Sequence, residues 1–144
     1  MIQRSGRPSP GSRKGRSYVP DRGDVVWIDR NPQAGREQAG RRTCLVLSPA
    51  LYNGRSGLAV LCPITNQEKG YPFEVKLPGE LRTTGVVLAD HVKNLDWRVR
   101  RAEFYEKVPE PVVREVCDTT VTLLYPEGEE ESSSSPRSPS GPTP

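Results

Sequence analysis

The sequence contains few of the residues on which familiar hydrolytic chemistry depends. Only one of its 144 residues is a histidine, His91, and three are cysteines. A single histidine excludes a two-histidine nuclease and any metal site built from several histidines. The cysteines are odd in number, lie in apolar contexts and share no metal-type spacing. Cys44, Cys62 and Cys117 are therefore typical of reduced thiols in a cytoplasmic protein.

Long apolar runs and nucleotide-binding motifs are also missing. No stretch approaches the roughly 20 apolar residues that span a bilayer. Residues 1–17 are basic but lack an apolar centre, which argues against a secretory signal. There is no glycine-rich phosphate loop, Ser/His/Asp set or HExxH motif. We therefore expect no membrane association, no cofactor and no metal, and any catalysis has to use Arg, Thr, Glu, Asn, Gln or the backbone.

The composition divides the chain into one domain and two polar tails. All nine aromatic residues lie between Tyr18 and Tyr125. Residues 1–17 carry a net charge of +5, and the Ser/Pro/Glu-rich residues 126–144 carry −3. Neither segment has enough apolar area to offset chain entropy, so both are predicted to be disordered. The domain 18–125 keeps a net charge of only +1, so any nucleic-acid binding has to come from a local basic patch.

The periodicity within the domain is mostly that of β-strands. Strand-like composition or alternation occurs in six segments, at 25–28, 43–47, 58–62, 73–77, 85–91 and 97–100, with an extension at 104–105. Pro63 is expected to end the third strand. In the sixth, Trp97 and Val99 are expected to face inward and Arg98 and Arg100 outward.

Two segments have helical features, and a polar loop is predicted at 30–41. Ser48 is expected to cap a short turn at 50–52 with Pro49 in its first position. From Pro109 to about Leu124 an apolar stripe predicts a longer helix. The fold class is therefore mainly β with helices (α+β), a small β-barrel with a C-terminal α-helix packed against it.

One reaction suits a residue set without histidine pairs or metal ligands, namely cleavage of RNA by its own 2′-OH. The substrate then supplies the nucleophile, and the protein orients it and stabilises a dianionic phosphorane. A guanidinium offers planar paired donors to phosphate oxygens, and a threonine hydroxyl adds another. Arginine is a poor proton shuttle because its pKa exceeds about 12, so a nearby glutamate is the better proton acceptor.

Seven strings occur in an order and at spacings that resemble one family. They are YVPD at 18–21, GDVVW at 23–27, EQAGRR at 37–42, VLSP at 46–49, PITNQ at 63–67, KGYPFEV at 69–75 and LAD at 88–90. Together they resemble the MazF/PemK toxins of type II toxin–antitoxin systems, also called mRNA interferases. The resemblance covers about residues 18–124.

This resemblance implies an SH3-like barrel that acts as a homodimer in the cytoplasm. It also implies a sequence-specific, metal-independent endoribonuclease that leaves 5′-OH and 2′,3′-cyclic or 3′-phosphate ends and so inhibits translation and growth. The implied partners are single-stranded RNA and a MazE-like antitoxin with an acidic C-terminal segment.

The family's functional positions fall on named residues of this chain. The catalytic arginine matches Arg42, and the catalytic Thr/Ser matches Thr65. Glu37 matches an acidic residue that family members use near the site. The residues expected to contact RNA are Arg36, Arg41, Asn66, Gln67, Lys69 and Arg98. The chain departs from the usual pattern where Thr43 replaces proline, Asn66 replaces threonine and His91 replaces glutamine, which bears on base preference more than on the reaction.

Other interpretations remain open at the level of sequence. A non-catalytic toxin of the gyrase-poison type shares this barrel, and a plain RNA-binding barrel is a third candidate. Arg41 is an alternative to its neighbour Arg42 as the catalytic arginine. Trp27 and Trp97 are interpreted as core or dimer-interface residues rather than base-stacking residues, and His91 as packed or pairing locally.

Overall fold

The computed structural model describes residues 18–32 and 40–125. The predicted tails and residues 33–39 of the long loop lie outside the described residues. The chain forms seven strands and two α-helices there, and their bounds follow in chain order. They are β1 Asp24–Asp29, β2 Arg41–Val46, α1 Ala50–Ser56, β3 Leu58–Thr65, β4 Glu74–Lys76, β5 Val86–Leu88, β6 Lys93–Asp96, β7 Glu103–Lys107 and α2 Glu110–Val121.

All strand pairings are antiparallel, and β3 is the strand that joins the others. The sheet order is β4-β5-β3-β2-β1-β7, with β6 added beside β3. Along one edge β3 changes partner, since residues 58–61 pair with β6 and residues 64–65 pair with β5. A sheet that branches in this way curves, and its two faces enclose separate apolar clusters.

The alternation of side chains along the strands produces those two clusters. On β1, Val25 points to one face, while Val26 and Ile28 point to the other. The first cluster is covered by α2 and contains Val25, Leu45, Leu47, Cys62, Ile64, Val75, Leu77, Val87, Ala89, Val108, Val113 and Val116. The second, covered by the indole of Trp97, contains Val26, Ile28, Cys44, Val46, Ala59 and Leu61. Both faces of the central strands are thus buried.

The prediction that Pro63 ends the third strand is wrong. β3 runs on to Thr65, and Pro63 pairs with Cys44 of β2. On the edge of β3 that pairs with β6 and then with β5, Pro63 lies between these two partners. No strand is there to accept a hydrogen bond, so the lack of an N–H in proline costs nothing on this edge.

The predicted strand at 97–100 is also wrong, because that segment is a turn that follows β6. The Asp96 carboxylate accepts hydrogen bonds from the backbone N–H groups of Arg98 and Val99, at 3.0 and 2.9 Å. Such an aspartate closes the chain into a turn. Trp97 is buried as expected, but the Val99 side chain is 56% exposed, so its alternation with Trp97 does not reflect a strand.

The helices differ in detail from their predictions. The N-cap of α1 is Pro49, and the helix is longer than one turn. Ser48 instead donates its hydroxyl to Asn53 Oδ1 at 2.6 Å and accepts from the Val60 N–H at 2.8 Å. The stripe of α2 buries Val113 and Val116 as predicted, whereas Leu124 lies past the helix and is 70% exposed.

The remaining strand predictions hold with changed bounds, since β1, β2 and β7 are longer than predicted and β4 and β5 are shorter. Val75 and Leu77 are buried as their alternation predicts. The run at 85–91 is a strand only from Val86 to Leu88 and continues as a 3-10 turn over 89–91. No helix in the described ranges is long and apolar enough to cross a membrane.

A buried carboxylate ties the end of β1 to two other parts of the chain. Asp29 accepts from Arg41 at 2.5 Å and from Arg101 at 2.9 and 3.1 Å. The hydrogen bonds from Arg101, and then those from Arg41, lower the pKa of Asp29 despite its burial. Arg101 has a left-handed φ of 55°, a conformation that a non-glycine residue holds only where its surroundings enforce it.

We predict that Asp29→Asn destabilises the fold by about 3 kcal/mol at pH 7, because it leaves two arginines without their shared carboxylate. Since the pKa is lowered in the folded state, this contribution is present above the ordinary aspartate pKa of about 4 and is lost as the pH falls through the lowered value. Urea unfolding at pH 7 and pH 3 measures the difference. Glu103→Gln is the control, because Glu103 pairs with the same Arg41 but its side chain is 73% exposed. It should cost less than about 1 kcal/mol, and an equal loss in both variants would contradict the prediction.

Candidate functional site

Arg42 and Thr65 lie at adjoining ends of two neighbouring strands. The β2–β3 register pairs Cys44 with Pro63 and Leu45 with Cys62. Beyond Cys44 and Pro63 the two strands run on, β2 back to Arg41 and β3 to Thr65. Arg42 Nη2 also lies 3.4 Å from the carbonyl oxygen of Ile64, so the guanidinium reaches over the end of β3.

The Arg42 guanidinium has unused hydrogen-bonding capacity. Its Nε is buried and has no partner within residues 18–32 and 40–125. An unpaired buried donor costs about 1–3 kcal/mol, more when it is charged. The position therefore favours an acceptor brought by a ligand.

Positive charges converge near Arg42. Burial raises the pKa of the Cys44 thiol to about 11, and this rise is opposed by the charges of Arg42, Lys93, Arg100 and Arg30. Arg30 and Arg100 lie at the end of the sheet where β2 begins, since Asp29 pairs with Arg41 and Arg100 donates to the carbonyls of Asp29 and Arg30. Lys93 approaches from farther along, because it pairs with Leu61, which is level with Val46. An anion is attracted to such a site more strongly than to the same charges dispersed over the surface. No group of three or more His, Cys, Asp or Glu in the described part of the chain is arranged to hold a metal ion.

Sequence reasoning did not single out Lys93 or Arg30, whereas it left Arg100 open, with Arg98, as either a solvated residue or a contact for RNA phosphates or antitoxin acids. Lys93 pairs with Leu61, whose side chain belongs to the second apolar cluster, so Lys93 projects on the face that carries Cys44. Arg100 donates to the carbonyls of Asp29 and Arg30, at 2.9 and 2.6 Å. Lys93 lies just beyond the LAD string at 88–90, and nothing in its local pattern indicates this neighbourhood.

The guanidiniums of Arg41 and Arg98 are held by the protein itself. Besides Asp29, Arg41 binds Glu103 at 2.9 Å and the carbonyls of Trp27 and Arg101. Arg98 stacks 4.7 Å from the centroid of the Trp97 ring and donates to the Gly54 carbonyl. Arg41 therefore differs from Arg42, which keeps a donor available. A role for Arg41 or Arg98 in RNA binding stays a prediction.

The segment after Thr65 is ordered by short polar contacts. The Thr65 hydroxyl accepts from the Gln67 N–H at 3.1 Å. The backbone N–H groups of Lys69 and Gly70 donate to the Glu74 carboxylate at 2.9 to 3.2 Å. Asn66, Gln67 and Lys69 are exposed beside Thr65 as expected. Arg36 and Glu37 fall outside the described residues, so their relation to Arg42 stays a prediction.

Gly85 approaches Thr65 more closely than any other residue type can. Its φ is +109°, and a Cβ at this position would lie 2.3 Å from the Thr65 carbonyl oxygen and 3.0 Å from Asn66 Oδ1. Because β5 pairs Val86 with Thr65, Gly85 allows the chain to enter β5 without displacing the end of β3.

The two tryptophans and the histidine have distinct surroundings. Trp97 is a core residue whose indole N–H donates to the Asn53 carbonyl at 2.9 Å. Trp27 is 36% exposed and meets Tyr105 edge-on with ring centroids 6.1 Å apart. The His91 side chain is 53% exposed, and its Nε2 lies 3.8 Å from the Asp90 carboxylate, which matches local pairing rather than packing.

Comparison with known proteins identifies close relatives. Residues 21–124 match the family model described as PemK-like, MazF-like toxin of type II toxin–antitoxin system. The chain is 54% identical over 85 residues to the endoribonuclease toxin MazF of Escherichia coli strain K12, which covers 59% of this chain and 76% of that relative. A crystal structure of MazF from Deinococcus radiodurans is 56% identical with a TM-score of 0.68, covering 75% of this chain and 98% of that one. A MazE–MazF structure from the same organism is 51% identical with a TM-score of 0.67, covering 75% and 97%. The predicted fold class and family resemblance are confirmed.

We predict that Gly85→Ala destabilises the protein by about 2 kcal/mol or more, because the methyl group clashes with backbone at a left-handed φ. Urea unfolding monitored by tryptophan fluorescence measures the loss. Gly79→Ala, in the same connection, is the matched control, since a Cβ there meets nothing within 4 Å. Equal stability of the two variants would show that the close approach of Gly85 does not constrain the fold.

Proposed function

The chain belongs to the PemK-like, MazF-like family of type II toxin–antitoxin toxins, and from this premise we propose that it is an endoribonuclease toxin that cuts single-stranded RNA with Arg42 and Thr65 and without a metal ion. The observation that carries the proposal is the Arg42 guanidinium, which reaches the Ile64 carbonyl next to Thr65 and has a buried Nε without an acceptor in residues 18–32 and 40–125. The surrounding cations favour a phosphate as the group that supplies it. The E. coli relative, named an endoribonuclease toxin, supports the same chemistry.

In the proposed reaction the 2′-oxygen of the substrate attacks the adjacent phosphorus, the bond from phosphorus to the 5′-oxygen breaks, and the leaving 5′-oxygen takes a proton from water. The products are a 5′-OH end and a 2′,3′-cyclic phosphate, which water opens to a 3′-phosphate. Arg42 donates paired hydrogen bonds to the phosphoryl oxygens as their charge grows, and Thr65 donates one more. Glu37 accepts the proton from the 2′-OH in this scheme.

Single-stranded RNA lies between the end of β3 and the long loop that precedes β2. Lys93 and Arg30 bind phosphates on either side of the cut, and Asn66, Gln67 and Lys69 meet the bases. Arg41 and Arg98 make weaker contacts at the edge of the site, because their guanidiniums already have protein partners. Arg36 also makes a contact at this edge. Recognition of unstacked bases in a single strand suits exposed polar residues beside a basic cleft.

The toxin acts in the cytoplasm as a homodimer and is inhibited by a MazE-like antitoxin. The MazE–MazF structure from D. radiodurans, at 51% identity, supports an antitoxin partner. An acidic antitoxin segment is complementary in charge to the cations around Arg42 and competes there with RNA. Uninhibited cleavage of mRNA then stops translation and growth.

We predict that Arg42→Ala lowers the cleavage rate of a long RNA by about 10²–10³-fold, the usual loss for one transition-state donor. The assay contains excess chelator, and the 5′ ends are mapped. Arg114→Ala is the control, because it removes the same charge from an exposed position on α2 and should keep full activity. Cuts that persist in Arg42→Ala would move the catalytic assignment, and cleavage that needs magnesium would refute the metal-free mechanism. If the unaltered protein binds RNA without cleaving it, the plain RNA-binding barrel is favoured. If it neither binds nor cleaves RNA, the non-catalytic toxin is favoured.

We predict that the salt dependence of RNA affinity has a slope of about −0.7 per phosphate contacted. With non-cleavable single-stranded RNA, Lys93→Ala should flatten this slope by about 0.7 because it removes one phosphate contact. Arg114→Ala should leave it unchanged. Fluorescence anisotropy at several salt concentrations measures both, and a slope near zero for the unaltered protein would contradict binding in a basic cleft.

A further inference from the structure

The connection between β4 and β5 is fastened to β7 by one carboxylate. Glu106 accepts hydrogen bonds from the backbone N–H of Arg82 at 2.9 Å, from the Thr83 N–H at 2.8 Å and from the Thr83 hydroxyl at 2.6 Å. Burial raises the pKa of Glu106, but these bonds outweigh it and the net pKa is lowered. Arg82 adds a bond to the Tyr105 carbonyl at 2.8 Å and stacks 4.2 Å from the Tyr105 ring centroid. The connection is therefore anchored where it reaches Thr84.

Thr84 and Gly85 hold the side chain of Asn66 in one orientation. The Thr84 hydroxyl donates to Asn66 Oδ1 at 2.8 Å. The same oxygen lies 3.0 Å from the point where a Cβ of Gly85 would be. Asn66 thus turns its carbonyl end toward this connection. Its Nδ2 group, which carries two donors, makes no hydrogen bond within the described part of the chain, and the residue is exposed beside Thr65.

An asparagine held in this way is restricted in the bases that it can recognise. With both ends available, an asparagine binds adenine through two hydrogen bonds, one donated and one accepted. The hydroxyl of Thr84 engages Asn66 Oδ1, so the side chain turns its carbonyl oxygen toward this connection and its two Nδ2 donors away from it. At the exocyclic position of a base, such a donor pairs with the keto oxygen O4 of uracil or O6 of guanine. Cytosine and adenine carry an amino group there, which repels the donor and leaves it only the ring nitrogens as acceptors.

We propose that Thr84 tunes base specificity by orienting Asn66 as a hydrogen-bond donor, so that one position of the target RNA favours a keto base, uracil or guanine. This inference rests on the proposed function, since it names the base chemistry recognised beside Thr65. Thr84 is a positioning residue that acts through Asn66. Neither Thr84 nor the donor orientation is visible in the motif strings, because Thr84 and Asn66 are 18 residues apart in sequence.

The test compares variants that change only this contact. Thr84→Val keeps the shape of the side chain but removes its hydroxyl, and Thr84→Ser restores the hydroxyl. Asn66→Asp replaces the outward donor with an acceptor. Each protein is incubated with a randomised RNA library, and the 5′ ends of the products are sequenced. Circular dichroism melting of each variant confirms that the fold is intact, which is expected because Thr84 and Asn66 are both exposed.

For the unaltered protein and Thr84→Ser we expect one position near the cut to favour uracil or guanine, and the library shows which of the two. Thr84→Val should reduce that preference by about fivefold, the typical value of one neutral hydrogen bond, without changing other positions. Asn66→Asp should favour cytosine or adenine there. An unchanged preference in Thr84→Val, an Asn66→Asp profile identical to that of the unaltered protein, or the absence of any keto preference would overturn the inference while leaving the nuclease function intact.

A binding measurement separates this inference from the nuclease activity. The 2′-fluoro octamers of uridine and of cytidine have no 2′-OH and are not cleaved. We expect the unaltered protein to bind the uridine octamer about fivefold more tightly, and Thr84→Val to bind both alike. If the protein cuts no RNA but shows this difference, the nuclease function fails and the orientation of Asn66 stands. If it neither cuts RNA nor distinguishes the octamers, both are overturned.

Discussion

The pairing register between β2 and β3 is the constraint on which the rest of the structure depends. It places Cys44 against Pro63 and so brings Arg42 to the end of β3, where its guanidinium reaches the carbonyl next to Thr65, although the two strands are separated by a helix in the chain. Both faces of the two strands are buried, and a slip by one residue would exchange the side chains of the two apolar clusters. The packing that stabilises the fold therefore also fixes the geometry of the site. Pro63 is compatible with this register because β3 changes partner at that point.

Two adjacent arginines at the start of β2 have divided functions. Successive side chains of a strand point to opposite faces, so Arg41 and Arg42 enter different surroundings. Arg41 is fixed by the buried Asp29 and by Glu103. Arg42 keeps an unpaired Nε and stands among other cations. We infer that the anchored arginine holds the strand while its neighbour, left partly unsatisfied, is ready for a phosphate. An unsatisfied charged donor is a cost to folding that is relieved when an anion binds.

Much of the fold follows from local sequence. The alternation and β-branched content predict most of the strands, and the stripe of Val113 and Val116 predicts α2. The errors arise where tertiary contacts override a local signal. Pro63 has the local character of a strand end, but it lies within β3, between the residues that pair with β6 and those that pair with β5. The alternation of Trp97 and Val99 resembles a strand, yet the Asp96 carboxylate closes that segment into a turn.

The sequence alone determined the family resemblance, which is carried by short strings with characteristic residues and spacing, and the mainly β class, which follows from alternation and β-branched content. The catalytic assignment of Arg42 and Thr65 rests on those strings and stays a prediction. Only the tertiary structure decided which arginine has a donor to spare, that Lys93 faces the same side as Cys44, and that Thr84 orients Asn66. Each of these depends on contacts between strands or connections that are distant in the chain. Such contacts are set by register and side-chain packing, and these are properties of the whole sheet that no local pattern of residues contains.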